Sequence, residues 1–81
     1  MKFIIISDPE GNEYPFIFPP KWGHNEMAAK MVEPHQTVVA AGFIRTNDVG
    51  QFECYGRSSS LNIPSRPQWD TALVKRLLAV T

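Results

Sequence analysis

The spacing of apolar positions changes from segment to segment along the chain, and the changes outline a fold. Phe3-Ile4-Ile5-Ile6 is an unbroken apolar run inside Lys2–Ser7. β-Branched residues pack well on a pleated surface, and a run without alternation predicts a strand covered on both faces. Asp8-Pro9-Glu10-Gly11-Asn12 predicts a turn, since Pro9 presets φ and Gly11 or Asn12 accepts positive φ. Glu13–Phe18 then returns as the second strand of a hairpin, with Pro15 assigning it to a sheet edge or a bulge. Pro19-Pro20-Lys21-Trp22-Gly23 breaks the pattern. A helix follows, capped by His24 or, better, Asn25, with Glu26 favouring the positive end of the helix dipole. Met27, Ala28, Met31 and Val32 share its apolar face, and Pro34 stops it near Glu33.

Thr37–Thr46 is the next strand. Val39, Ala41 and Phe43 alternate with Val38, Ala40, Gly42 and Ile44, and the small residues Ala40, Ala41 and Gly42 permit close approach by a helix. Asn47-Asp48-Val49-Gly50 turns the chain into a strand over Gln51–Gly56, with Phe52 and Cys54 on one face. Arg57–Arg66 reads as a serine-rich loop anchored by Leu61 and Ile63. Ser65 and Gln68 have the spacing of a capping box, and Pro67 suits the first turn of the last helix. Trp69, Leu73, Leu77 and Val80 form the expected buried stripe of that helix, with Asp70 placed for the dipole. The order predicts one α+β domain over residues 1–81, ββαββα, with an antiparallel four-stranded sheet and two helices packed on one face.

Composition narrows what such a domain can spare for function. The chain is 43% hydrophobic and 20% charged, which is globular rather than disordered. At 81 residues one core is only just sufficient, so most large apolar side chains are expected in it. Cys54 is the sole cysteine, so no intrachain disulfide forms, and a lone thiol fits a reducing, cytoplasmic setting. No apolar run approaches the ~20 residues of a membrane span.

Net charge is zero but unevenly spread. Residues 1–53 carry four basic against seven acidic residues, and residues 54–81 carry Arg57, Arg66, Lys75 and Arg76 against Asp70 alone. Catalytic chemistry finds little support. His24, Glu26, His35 and Cys54 lack the paired spacing of a zinc site, and both histidines read as surface loop or cap residues. Ser58, Ser59 and Ser60 have no G-x-S-x-G elbow and no assignable base. Cys54 reads as a core thiol beside Phe52. Asp8, Glu10 and Glu13 read as a solvated hairpin tip. No cofactor, metal or enzymatic activity is expected. The candidate binding residues are Tyr55, Arg57, Ser58, Ser59, Ser60 and Arg66. They offer planar guanidinium donors, adaptable hydroxyls and a rigid aromatic on a loop freed by Gly56. The competing reading pairs Arg57 with Glu53 and Arg66 with Asp70 as surface ion pairs. Trp22 is a further candidate anchor, set against its use as a lid over the core.

Phe18-Pro19, His24-Asn25-Glu26-Met27-Ala28, Val38-Val39-Ala40-Ala41-Gly42-Phe43, Cys54-Tyr55-Gly56-Arg57-Ser58 and Ser65-Arg66-Pro67 follow one another in an order that covers most of the chain. This succession resembles small uncharacterised proteins carried by phages and prophages. The resemblance implies no activity. It implies an accessory protein that acts by binding, inhibitors of host defence included. The leading expectation is therefore a non-enzymatic module that binds a host or phage protein. Nucleic-acid or anion binding through the basic C-terminal third is a second expectation. A phage structural or assembly component, including a homo-oligomer built on an exposed sheet edge, is a third.

Overall fold

The computed structural model describes residues 1–79. The elements run β1 (Lys2–Ser7), β2 (Glu13–Phe18), α1 (His24–Met31), β3 (Thr37–Thr46), β4 (Phe52–Tyr55), β5 (Arg57–Ser58), β6 (Ile63–Pro64) and α2 (Pro67–Ala79). The α+β class and the ββαββα order hold. They are extended by the two short strands β5 and β6, which form a hairpin inside the segment read as a loop. The main sheet is antiparallel in the order β2-β1-β3-β4. β1 lies at its centre because its apolar run has to be covered above and below.

That burial decides where the helices go. Phe3 and Ile5 pack with Ala40, Ile44, Cys54 and Val74 of α2. Ile4 and Ile6 point the other way and pack with Phe18, Ala41 and the α1 residues Met27 and Ala28. All four β1 side chains are at most 1% exposed. The helices thus flank opposite faces of the sheet, not the single face expected from the sequence. The α1 face is already shared with Leu61 and Ile63 of the β5–β6 hairpin. A second helix there would leave Phe3 and Ile5 in water, at a cost of about 1.5–3 kcal/mol for each side chain. A register shift between Ile5 and Ile6 in the β1–β3 pairing places neighbouring residues Val39 and Ala40 against the same core.

The sheet edges are closed locally. Asp8 N–H donates to Asn12 O, so hydrogen-bonded and non-hydrogen-bonded pairs alternate from there, and Pro15, opposite Ile5, turns its proton-free nitrogen outward. At the other edge Cys54 N–H donates to Thr71 Oγ1 at 2.9 Å. Gly42 sits where β3 is approached most closely. A Cβ there would collide with the Tyr55 carbonyl oxygen, so Gly42 admits the end of β4, while Ala40 and Ala41 share the cores covered by α2 and α1. Gly56, at φ +75°, makes the left-handed turn out of β4.

α2 opens on Pro67 as expected, but the caps of both helices differ from those expected. Gly23 is the N-cap of α1, with its N–H donating to Glu26 Oε1 at 2.9 Å, and His24 and Asn25 are already helical. His24 is buried, not a surface residue. Its Nε2–H donates to Gly42 O at 2.8 Å, and its ring lies edge-on to Phe18 and Phe43. Desolvation outweighs that hydrogen bond and holds its pKa below the ordinary value, favouring the neutral ring. At the start of α2, Ser65 Oγ donates to Gly56 O, so the expected capping box gives way to Asp70, whose carboxylate accepts from Arg66 N–H at 2.7 Å. The buried stripe of α2 is Asp70 and Val74, with Leu73 half-buried. Trp69 and Leu77, assigned to that stripe from the sequence, are exposed, and Val80 lies outside the described residues.

Cover on both faces makes neighbouring β1 residues equally intolerant. Ile4→Ala and Ile5→Ala are each expected to cost about 2–5 kcal/mol in urea unfolding. If either variant is near neutral, one face of the sheet is open.

Candidate functional site

The residues singled out from the sequence divide between the two sides of the sheet. Ser58 is fully buried; its hydroxyl accepts from Leu61 N–H at 3.1 Å and lies 3.3 Å from Ser60 Oγ. Ser60 in turn accepts from Asn25 N–H at 3.3 Å, tying the β5–β6 hairpin to α1. Ser59 is exposed. Arg57 donates to Asn62 Oδ1, which bridges the hairpin at the one non-glycine residue of positive φ among those described. Tyr55 is partly exposed beside Phe43, with the Arg45 guanidinium 4.5 Å from its ring centroid. Trp22 is half-buried against the Ile4–Phe18 core, as the lid reading has it. Lys30 Nζ stands 5.1 Å from its ring centroid, and Lys2 donates to its carbonyl at 2.9 Å. The serine cluster is therefore a folded hairpin whose one buried hydroxyl, that of Ser58, is spent internally.

Arg66 stands apart, on the α2 side. Its guanidinium donates through Nε and Nη2 to Asp70 Oδ1 at 3.0 and 2.7 Å. Through Nη1 and Nη2 it also grips both oxygens of Glu13, at 3.1 and 2.7 Å. Asp70 is fully buried. The Arg66–Asp70 pair of the competing reading is thus present, with Glu13 as an added partner 53 residues away in sequence. Glu53 instead takes Arg45 at 3.5 Å and Asn47 at 2.9 Å. The hydrogen bonds from Arg66 hold the Glu13 carboxyl below its ordinary pKa, and Glu13 in turn raises that of Arg66. Cys54 is buried in the core and its thiol is pushed up to about 11 by desolvation, so it is neutral near pH 7.

The network carries a side chain that the sequence reading assigned to the core. Trp69 Nε1–H donates to Glu13 Oε1 at 3.1 Å, and the Arg66 guanidinium lies 5.9 Å from the indole centroid. Trp69 is nonetheless 62% exposed. Beside it a recess of about 370 Å³ is lined by Gln68, Trp69, Ala72, Leu73 and Arg76. The depression continues across Trp69 to Tyr14, Asn12 and Gly11 of the first hairpin. Tyr14 is 47% exposed, and its hydroxyl is 3.3 Å from Asp8 Oδ2. Asp8 also accepts from the Glu10 and Asn12 N–H groups, which fixes the turn that bounds the recess. The sequence held a partial signal: a Trp three residues beyond Arg66 and next to the acidic Asp70.

Among the described residues no group of three or more His, Cys, Asp or Glu side chains could hold a metal ion, and no helix is long and apolar enough to cross a membrane. No protein-family model matches the chain, and neither a curated protein nor a solved structure matches it.

The division between structural and surface arginines is measurable by unfolding. Arg66→Ala strands the buried Asp70 carboxylate and is expected to cost about 3–5 kcal/mol. Arg57→Ala, at an exposed hydrogen bond, is expected to cost about 1 kcal/mol or less. Equal costs would contradict the assignment.

Proposed function

We propose that this chain is a non-enzymatic protein-binding module and that its binding surface is the α2–β2 face centred on Trp69. One observation carries the proposal. A tryptophan in a domain with little apolar area to spare is held at the surface by its own indole N–H, with its ring left bare. Rigid, partly exposed Trp and Tyr beside an arginine have the composition of an interface hot spot, and fixing the anchor beforehand lowers the entropy cost of binding. Tyr14, Leu73 and Arg76 surround Trp69 in that composition.

This moves the interface from the Tyr55–Ser60 loop, where Ser58 and Ser60 are used internally, and leaves Arg66 as a support and not a contact. An accessory protein that acts by binding, of the kind the phage and prophage resemblance implies, agrees with such a face, and inhibition of a host protein is one way it would act. A cytoplasmic setting is part of the same proposal, resting on the lone buried thiol of Cys54.

The test is quantitative capture from lysate of the source cell with wild type, Trp69→Ala and Arg57→Glu, each checked for native stability. Trp69→Ala is expected to lose at least about ten-fold of the captured partner, as for a hot-spot residue, while Arg57→Glu retains it. Loss with Arg57→Glu and retention with Trp69→Ala would return the interface to the serine hairpin.

A further inference from the structure

The recess beside Trp69 has a definite chemistry, and it specifies an occupant. Its walls are apolar at Trp69, Ala72 and Leu73. The indole N–H is already donated to Glu13, so Trp69 offers the recess a ring face and no hydrogen bond. The carboxylates of Glu13 and Asp70 are both turned on Arg66. Arg76 has no ion-pair partner among the described residues, so it is the unmatched charge of the lining. Gln68 and Asn12 bring amides, each able to donate to and accept from a peptide backbone.

We propose that the recess takes a peptide segment of the partner in which an apolar side chain stands next to a carboxylate. The apolar group sits on Trp69 and Leu73, and the carboxylate meets the guanidinium of Arg76. This rests on the reading of the α2–β2 face as the docking surface and adds the partner's chemistry to it. A planar guanidinium pairs with a carboxylate through two parallel hydrogen bonds, which fixes orientation as well as adding affinity. A nucleic acid strand suits the place less well. Asp8 and Glu10 stand on the turn that bounds the recess, and a chain of phosphates would run against both.

The probe is a random twelve-residue peptide library panned on the immobilised full chain, in parallel with Arg76→Glu and Trp69→Ala. Wild type is expected to enrich peptides with Asp or Glu beside Leu, Ile or Phe. Replacing that acidic residue by Ala in a selected peptide is expected to weaken binding about ten-fold or more. Arg76→Glu is expected to enrich the same apolar residues beside Lys or Arg. Apolar enrichment without an acidic neighbour, or an acidic preference unchanged in Arg76→Glu, overturns the assignment of the occupant while leaving the Trp69 face standing. No enrichment on wild type, or equal enrichment on Trp69→Ala, overturns both. A dT oligonucleotide that binds wild type and competes with the selected peptides overturns the peptide assignment in favour of nucleic acid.

Discussion

A single guanidinium holds the α2 side of this molecule together. Arg66, immediately before α2, lies between a carboxylate on that helix, Asp70, and one on the edge strand, Glu13, and donates to both. Burying Asp70 costs several kcal/mol unless its charge is matched and its oxygens are bonded, and here both oxygens are. The match works only if α2 starts beside β2. The ion network thus fixes the position and rotation of α2 over the Phe3–Ile5 face, and apolar packing through Val74 completes the seal. The exposure of Trp69 follows: with Asp70 and Val74 turned inward, the position before Asp70 is carried to the flank of the helix, above Glu13.

The two faces of the sheet are built differently. On the α1 side, a helix of eight residues and a small hairpin share the cover, and Trp22, Leu61 and Ile63 join the core. Polar groups there join elements: buried His24 to Gly42, exposed Ser60 to Asn25, and part-buried Lys2 to the Trp22 carbonyl. On the α2 side one longer helix suffices, and its outer flank is left with aromatic and aliphatic side chains in water. Function is assigned to the side where apolar area is left over, since a domain this small has a use for every large side chain it can bury.

The four strands of the main sheet were legible in the sequence because their signals are local, whereas the two-residue strands β5 and β6 were not. The bounds of β1, β2 and β3 follow from apolar runs and alternation between Gly, Asn and Pro turns, and they match the structure at each residue. The four-residue apolar run of β1 also contained the two-sided cover, although the helices were assigned to one face. The phase of α2 was hidden because it depends on Glu13 and Arg66, whose partnership spans most of the chain. Apolarity alone ranks Trp69 above Asp70 for burial, and only a distant cation reverses that order. His24 was hidden for a similar reason: its acceptor and its two aromatic neighbours come from β2 and β3. The serine segment reads as a loop in the sequence because the pairing of β5 and β6, which closes the Ser58 hydroxyl onto Leu61 N–H, leaves no periodic signal in two-residue strands.

The proposed binding face depends on Trp69 being held rigid at the surface by Glu13. The direct measurement is ¹⁵N relaxation of the Trp69 indole N–H in wild type and in Glu13→Ala. In wild type the order parameter is expected near the ~0.85 of rigid backbone, falling below about 0.6 in Glu13→Ala while the amides of β1 stay protected. An indole already mobile in wild type, or equally ordered without Glu13, would contradict the claim that the ion network presents this tryptophan.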